Sequence, residues 1–210
     1  MLRILIADDH PIVRQGLRQI IAEIPDMVVA DEASNGDEVL SKARASHYDV
    51  VLLDISMPGI HGLDVMRQLK NERPRLPVLI LSIHPEEQYA VRALRSGASG
   101  YLTKESAPDE LITAIRKVSM GGKYVSSSLA ERLAYELESI DEQLPHNTLS
   151  DREYQIMLFI ASGKTVTEIA DELSLSIKTI STYRSRILEK MKMKNNAELT
   201  YYAIKNHLVD

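Results

Sequence analysis

The sequence predicts an α/β domain built on a five-stranded parallel doubly wound sheet, followed by a small all-α domain with a helix-turn-helix. Three observations predict it. Short apolar runs alternate with stretches of helical apolar spacing over about the first 120 residues. Those runs end in residues able to do chemistry: Asp8-Asp9, Asp54 and Ser82. After them the chain shows helical spacing alone, and near its end a dense basic segment.

Leu2 to Ala7 is the first expected strand, closed by Asp8-Asp9-His10-Pro11, with Pro11 suited to the first turn of a helix. Ile12, Val13, Leu17, Ile20, Ile21 and Ile24 then recur at helical spacing. Met27 to Ala33 reads as the second strand, and Asn35-Gly36-Asp37 opens a helix carrying Val39, Leu40 and Ala43. Asp49 to Leu53 is the third strand, apolar enough to be covered on both faces. Gly62 to Leu69 follows as a helix with Leu63, Met66 and Leu69 inward. Pro77 to Ser82 is the fourth strand, Glu86 to Arg95 a helix ended by Gly97, and Ser99 to Leu102 a short fifth strand. Pro108 to Met120 closes the domain, with Leu111, Ile112, Ile115 and Val118 as its stripe. The expected architecture is flavodoxin-like, and right-handed crossovers put every strand's carboxyl end on one rim.

The boundaries read as 1–121, a linker over 122–147, and 148–210. In the linker, Ser126-Ser127-Ser128 offers a cap to a helix from Leu129 to Ile140 striped with Leu133 and Leu137. That stripe is expected to pack on a neighbouring domain or a second subunit. An acidic tether, Asp141 to Asn147, follows. Ser150 and Glu153 then form a capping box for a helix carrying Tyr154, Ile156, Met157, Ile160 and Ala161, ended by Gly163. Thr165 to Leu173 is a short helix, Ser174-Leu175-Ser176 a tight turn, and Lys178 to Met191 a longer helix with Ile180, Ile187, Leu188 and Met191 inward. A last helix runs from Ala197 to His207.

Composition bounds what the chain can be. Of its 210 residues 44% are hydrophobic and 26% charged, as in ordinary globular proteins. No apolar stretch approaches a bilayer's width, and the start runs too soon into acid for a signal peptide. The absence of cysteine excludes disulfides, thiolate metal sites and thiol nucleophiles. A cytoplasmic location and no membrane partner are expected. The net charge of −5 is uneven: −3 over 1–121, −3 over 122–147 and +1 over 148–210. Lys178 to Lys194 holds six basic residues and one acid, which points to a polyanion partner at one end of the chain only.

On the rim, Asp8, Asp9, Asp54, Ser82 and Lys104 would converge. Three carboxylates in one cleft repel one another, so a proton or a cation must be held there. Oxygen ligands suit a hard divalent ion, Mg2+ with Mn2+ as the alternative. A carboxylate beside such an ion can attack phosphorus, while Lys104 neutralises the transferring phosphoryl group and the Ser82 hydroxyl donates to it. The plain alternatives are that Asp54 caps a turn, that Lys104 and the acids form a structural ion-pair network, and that His10 is a structural turn residue.

Asp8-Asp9, Asp54-Ile-Ser-Met-Pro-Gly, Ser82 and Gly97-Ala-Ser-Gly-Tyr-Leu-Thr-Lys104 together resemble the receiver domain of two-component response regulators over residues 1–121. The resemblance implies that Asp54 accepts a phosphoryl group from a sensor histidine kinase. It also implies that Asp9, Asp54 and the Ser56 backbone carbonyl ligate the metal, with Asp8 positioning a metal-bound water. Ser82 and Tyr101 match the receiver's switch pair, whose hydroxyl moves toward the phosphate as the ring turns inward. Without the family, Tyr101 reads as a half-buried strand aromatic. One position departs from the pattern: Glu105 stands where many receivers have a proline preceded by a cis bond, costly for any other residue.

The second domain resembles the LuxR-type helix-turn-helix of NarL/FixJ regulators over residues 148–210. The resemblance is carried by Leu149-Ser150-Asp151-Arg152-Glu153, Glu168-Ile169-Ala170 and Ser176-Ile-Lys-Thr179-Ile180. Ser181-Thr182-Tyr183-Arg184-Ser185-Arg186 and Gln155-Ile156-Met157-Leu158 look closest to the GacA/UvrY branch. The expected partner is double-stranded DNA at a promoter site. The basic residues Lys178, Arg184, Arg186 and Lys190 would contact phosphates, Ser181, Thr182 and Ser185 could reach base edges, and Thr179 and Tyr183 complete the expected DNA-binding set. The last helix resembles the family's dimerisation helix, with Leu199, Tyr202, Ala203 and Lys205 as the expected surface of a homodimer formed when active. The chain is thus expected to be a transcription regulator whose phosphorylation at Asp54 controls pairing and DNA binding, with no enzymatic turnover beyond slow self-phosphorylation and self-dephosphorylation. The rival readings are a metal-dependent phosphatase using an aspartyl phosphate and a DNA binder that is never phosphorylated. Ser56 stands where the phosphatase would want a second carboxylate.

Overall fold

The computed structural model describes residues 1–106, 108–138 and 144–209. It divides into two compact units, Met1–Glu131 and Arg132–Asp210. The division falls within the expected linker, so residues 122–131 belong with the first unit.

The first unit holds β1 (Leu2–Ala7), α1 (Pro11–Ala22), β2 (Met27–Ala33), α2 (Gly36–Ala45), β3 (Val50–Leu53), α3 (Gly62–Glu72), β4 (Val78–Ser82), α4 (Glu86–Arg95), β5 (Gly100–Thr103) and α5 (Pro108–Ser119). All strand pairs are parallel, in the order β2-β1-β3-β4-β5. The three central strands are apolar throughout their buried stretches: Ile4 to Ala7, Val50 to Leu53 and Val78 to Leu81. Helices on both sides of the sheet explain why these strands read as continuous apolar runs. Ile4, Ile6, Val50, Leu52, Leu79 and Leu81 on one face pack with Leu17 and Ile21 of α1 and Leu111, Ile115 and Val118 of α5. Ile12 leaves the expected stripe: it is 84% exposed, at the open end of α1. The order reverses between β1 and β3, and at such a switch point the carboxyl ends of neighbouring strands open a crevice.

After α5 the chain runs back along the sheet edge. The Tyr124 N–H donates to Ser99 O at 2.8 Å, and Tyr124 forms an isolated parallel bridge with Gly100. Then α6 (Ser127–Glu138) begins two residues before the expected Leu129. Of its stripe, Leu129 is buried and Leu133 half-buried. The Leu137 side chain, Ile140 and residues 141–143 of the tether lie outside what the structure describes.

The second unit contains a 3-10 turn at Pro145–Thr148, then α7 (Asp151–Ala161), α8 (Val166–Glu172), α9 (Ile177–Lys190) and α10 (Asn196–Lys205). Reciprocal capping boxes open α7 (Ser150 with Glu153) and α8 (Thr165 with Glu168). Ser176 caps α9 by accepting the Thr179 N–H, and Asn195 caps α10. Ser174 takes a left-handed φ of 52° in the turn between α8 and α9. Ile156, Met157, Ile169, Ile180, Ile187, Leu199 and Ala203 form the interior. That burial corrects the expected dimer surface. Leu199 and Ala203 are wholly inside this small domain, and the Tyr202 hydroxyl is committed to His146 Nδ1 at 2.7 Å. Of the four only Lys205 is exposed, on a face it shares with Tyr201 and Ile204.

Candidate functional site

The crevice between β1 and β3 brings Asp8, Asp9, Asp54 and Lys104 together. Backbone bonds extend the sheet by one residue at each strand: Asp8 N to Ala33 O at 3.1 Å, Asp54 N to Ala7 O at 2.9 Å and Lys104 N to Ser82 O at 2.7 Å. Each fixes the rim residue whose side chain then turns over the sheet's edge. Lys104 Nζ lies 2.8 Å from Asp54 Oδ2 and 2.5 Å from Asp8 Oδ2. The other Asp54 oxygen accepts the Ser56 N–H at 3.0 Å. Asp54 and Asp8 are each 1% exposed, whereas the Asp9 side chain is 29% exposed at the mouth.

Burial pushes the Asp54 carboxyl above its ordinary range, and the neighbouring Asp8 charge adds to that, while Lys104 and the Ser56 amide oppose it. For Lys104 burial works against the charge, but the two carboxylates outweigh it and hold the ammonium above its usual value. Oxygen atoms of Asp8, Asp9 and Asp54 lie, with a ring nitrogen of His10, within 4.8 Å of one another. His10 Nδ1 stands 2.8 Å from Asp9 Oδ1 and 3.3 Å from Asp8 Oδ1. Three carboxylates against one ammonium leave excess negative charge in a largely buried crevice. That donor set fits a hard divalent cation.

Ser82 is buried, its Oγ accepting the His84 N–H at 3.1 Å. Tyr101 is fully buried, and its hydroxyl donates to His84 O at 2.8 Å. The ring is therefore already turned inward, the position that the resemblance attaches to the phosphorylated state. His84 is the residue that sequence reasoning missed. Its Nε2 is 3.1 Å from Ser56 Oγ and its ring lies 4.9 Å from that of Tyr89, so it joins the turn after Asp54 to α4. Its only sequence signal is its place two residues beyond Ser82 on the functional rim. After Lys104 no cis peptide occurs among the described residues, and a turn closed by Ser106 N to Thr103 O at 3.0 Å follows the strand.

Two structural details support the crevice. A Cβ on Gly62 would stand 2.4 Å from Ile55 Cα and 2.5 Å from Asp54 O, so only glycine lets α3 start against the Asp54 turn. His61 caps that helix through Nδ1, accepting the Leu63 N–H.

In the second unit, α9 presents Lys178, Ser181, Thr182, Ser185 and Arg186 outward, with Thr179 and Tyr183 half-buried beside them. Thr182 and Ser185 donate back to Lys178 O and Ser181 O, at 2.9 and 3.1 Å, which leaves their oxygens to accept from a partner. Ser176, Lys178, Thr179, Thr182, Tyr183 and Arg186 line a shallow basic cavity of about 330 Å³. Two expected contacts are engaged elsewhere. Arg184 Nε donates to Asn196 Oδ1 at 2.7 Å, and Lys190 Nζ pairs with the buried Glu153 at 2.6 Å.

Comparison with known proteins agrees with both halves. Residues 4–116 match the response regulator receiver domain, and residues 147–203 match the bacterial regulatory proteins of the luxR family. The chain is 39% identical over 209 residues to the response regulator UvrY of Escherichia coli K12, covering 99% of this chain and 96% of that protein. It is 40% identical over 210 residues to the response regulator GacA of Pseudomonas protegens, covering 100% and 99%. Among solved structures, RcsB of Salmonella enterica serovar Typhimurium bound to promoter rprA with a phosphomimetic BeF3- has a TM-score of 0.65 at 27% identity, covering 96% of this chain and 98% of that one. Another RcsB structure holds two dimers on two parallel DNAs, with a TM-score of 0.60 at 29% identity over 100% and 99%. With a receiver site on one unit and a luxR-type helix-turn-helix on the other, this chain belongs to the two-component response regulators, in the group that includes UvrY and GacA.

Proposed function

We propose that this response regulator is a phosphorylation-dependent, DNA-binding transcription regulator, with Asp54 as the phosphoacceptor. The observation that carries the reading is the buried Asp54 carboxylate paired with Lys104 at the carboxyl rim of the sheet. A sensor histidine kinase is the donor. An Asp54 oxygen forms a bond to phosphorus as the bond from phosphorus to the kinase imidazole breaks, and that imidazole recovers a proton from solvent. Lys104 sits where it can neutralise the phosphoryl oxygens, and the Ser82 hydroxyl can donate to one of them. Mg2+, or Mn2+, held by Asp9, Asp54 and the Ser56 carbonyl with Asp8 behind a bound water, would supply further charge neutralisation. Self-phosphorylation from small phosphodonors and slow self-dephosphorylation are the chain's own chemistry.

The output is DNA binding by α9. Lys178 and Arg186 are placed for phosphates, and Ser181, Thr182 and Ser185 for base edges. Pairing on a two-fold site is supported by the RcsB dimers on DNA, with Tyr201, Ile204 and Lys205 as the exposed face of α10. A cytoplasmic location suits these partners, and no helix among the described residues is long and apolar enough to cross a membrane.

Acetyl phosphate with Mg2+, followed by intact mass, tests the reading. The wild type gains one phosphoryl group and Asp54→Asn gains none. A wild type that gains nothing, or an Asn variant that gains as much, overturns it.

A further inference from the structure

The start of the linker helix is fastened to α4, the helix that follows the loop holding Ser82 and His84. Ser126 caps α6, its Oγ accepting the Leu129 N–H at 3.1 Å, while its own hydroxyl donates to the Glu86 carboxylate. Ser128 Oγ stands 3.0 Å from Ser126 Oγ and reaches the same Glu86 oxygen at 3.4 Å. Glu86 is the first residue of α4, whose N-cap, Pro85, offers no side chain to bond. Four residues back along the loop is Ser82, and between them His84 donates its N–H to Ser82 Oγ and accepts the Tyr101 hydroxyl on its carbonyl. The chain preceding the clasp is fixed to the start of β5 and to α5, apart from the loop that holds Ser82 and His84. Tyr124 N is tied to Ser99 O, the Tyr124 hydroxyl donates to Glu110 at 3.0 Å, and Gly100 leaves no room for a side chain beneath the Tyr124 backbone. Among the described residues Glu86 is thus a point where the end of the rim loop touches the outgoing helix.

We infer that the clasp of Glu86 on Ser126 and Ser128 carries the state of Asp54 to the linker helix. The inference rests on Asp54 being the phosphoacceptor. A phosphoryl group there gives the Ser82 hydroxyl a charged acceptor while Ser82 Oγ keeps accepting the His84 N–H. Ser82 and Tyr101 then hold one residue, His84, from its N–H and from its carbonyl, and the charged acceptor strengthens the bond at the Ser82 end. That grip holds the loop with Tyr101 inward and keeps Glu86 within reach of Ser126. Loss of the phosphoryl group loosens the loop, and the cap of α6 loosens with it.

Hydrogen exchange on the full-length chain, with and without acetyl phosphate and Mg2+, reads this at the amides of residues 129–131. Phosphorylation slows their exchange about two- to tenfold, the equilibrium range of one net hydrogen bond. In Glu86→Ala, and separately in Ser126→Ala, phosphoryl uptake by intact mass is unchanged but the slowing is lost. Two results overturn the inference alone: a phosphorylated wild type with unchanged exchange, or a Glu86→Ala chain that keeps the slowing, as it would if exchange rose equally in both states. A wild type that takes up no phosphoryl group overturns the Asp54 reading itself, and the clasp's role with it.

Discussion

Asp54 is a carboxylate pulled two ways, upward by burial and downward by Lys104. Lys104→Met removes the cation that Asp54 and Asp8 share, leaving Asp54 with burial and a neighbouring negative charge. Phosphoryl uptake from acetyl phosphate should then fall by about a hundredfold or more, the usual loss on removing one preorganised charge-stabilising group. Uptake at the wild-type rate would show Lys104 to be only a structural partner. Gly62 tests the same site from behind. Gly62→Ala forces Ile55 and the Asp54 carbonyl to move, which should cost about 1–3 kcal/mol in thermal unfolding and slow uptake as well. Unaltered melting would mean the turn accommodates a methyl group freely. The site residues were legible because strand ends announce themselves in sequence and topology does the rest. His84 was not, since part of its role depends on a backbone carbonyl and amide, which any residue type carries, and its ring meets Ser56 across 28 positions of sequence. Leu199 and Ala203 misled for a related reason: helical spacing marks an apolar face but does not say whether domain or partner covers it.

At the level of elements, Glu153 joins two helices. It completes the capping box of α7 and pairs with Lys190 near the end of α9. Burial would raise its carboxyl, but the Lys190 ammonium and the bonds to Ser150 outweigh burial and hold it below its ordinary value of 4.5. A depressed folded value means its stabilisation is fully present above the unfolded value and is lost as pH falls through the folded one. Urea unfolding followed by circular dichroism should show the second domain weakening below about pH 4.5, and Glu153→Gln should flatten the dependence in that window. An unchanged pH profile in the variant would contradict the pairing. Ser150→Ala, which removes the cap itself, should cost about 1 kcal/mol. The strands and helices were largely legible because period and capping are local signals. The Ser126–Glu86 clasp was not: its partners are 40 positions apart, and two serines and a glutamate in separate segments carry no periodicity.

The whole molecule carries an acidic crevice on one unit and a basic helix on the other. The charge asymmetry of the sequence anticipated that division of labour. It could not say which cations stay free. Arg184 and Lys190 are bound within their own domain, so Lys178 and Arg186 should carry the salt dependence of binding. Lys178→Ala should weaken binding to all duplexes alike and lower the slope of log affinity against log salt by about 1. A change in sequence preference with an unchanged slope would instead make Lys178 a base reader. The central claim is that the phosphoryl group on Asp54 controls DNA binding. Its most direct test is the affinity of the full-length chain for a duplex selected from random sequence, measured before and after acetyl phosphate treatment. Treatment should tighten binding in the wild type and give none of that gain in Asp54→Asn. Equal affinity in treated and untreated wild type, with the phosphoryl group verified by mass, would contradict it.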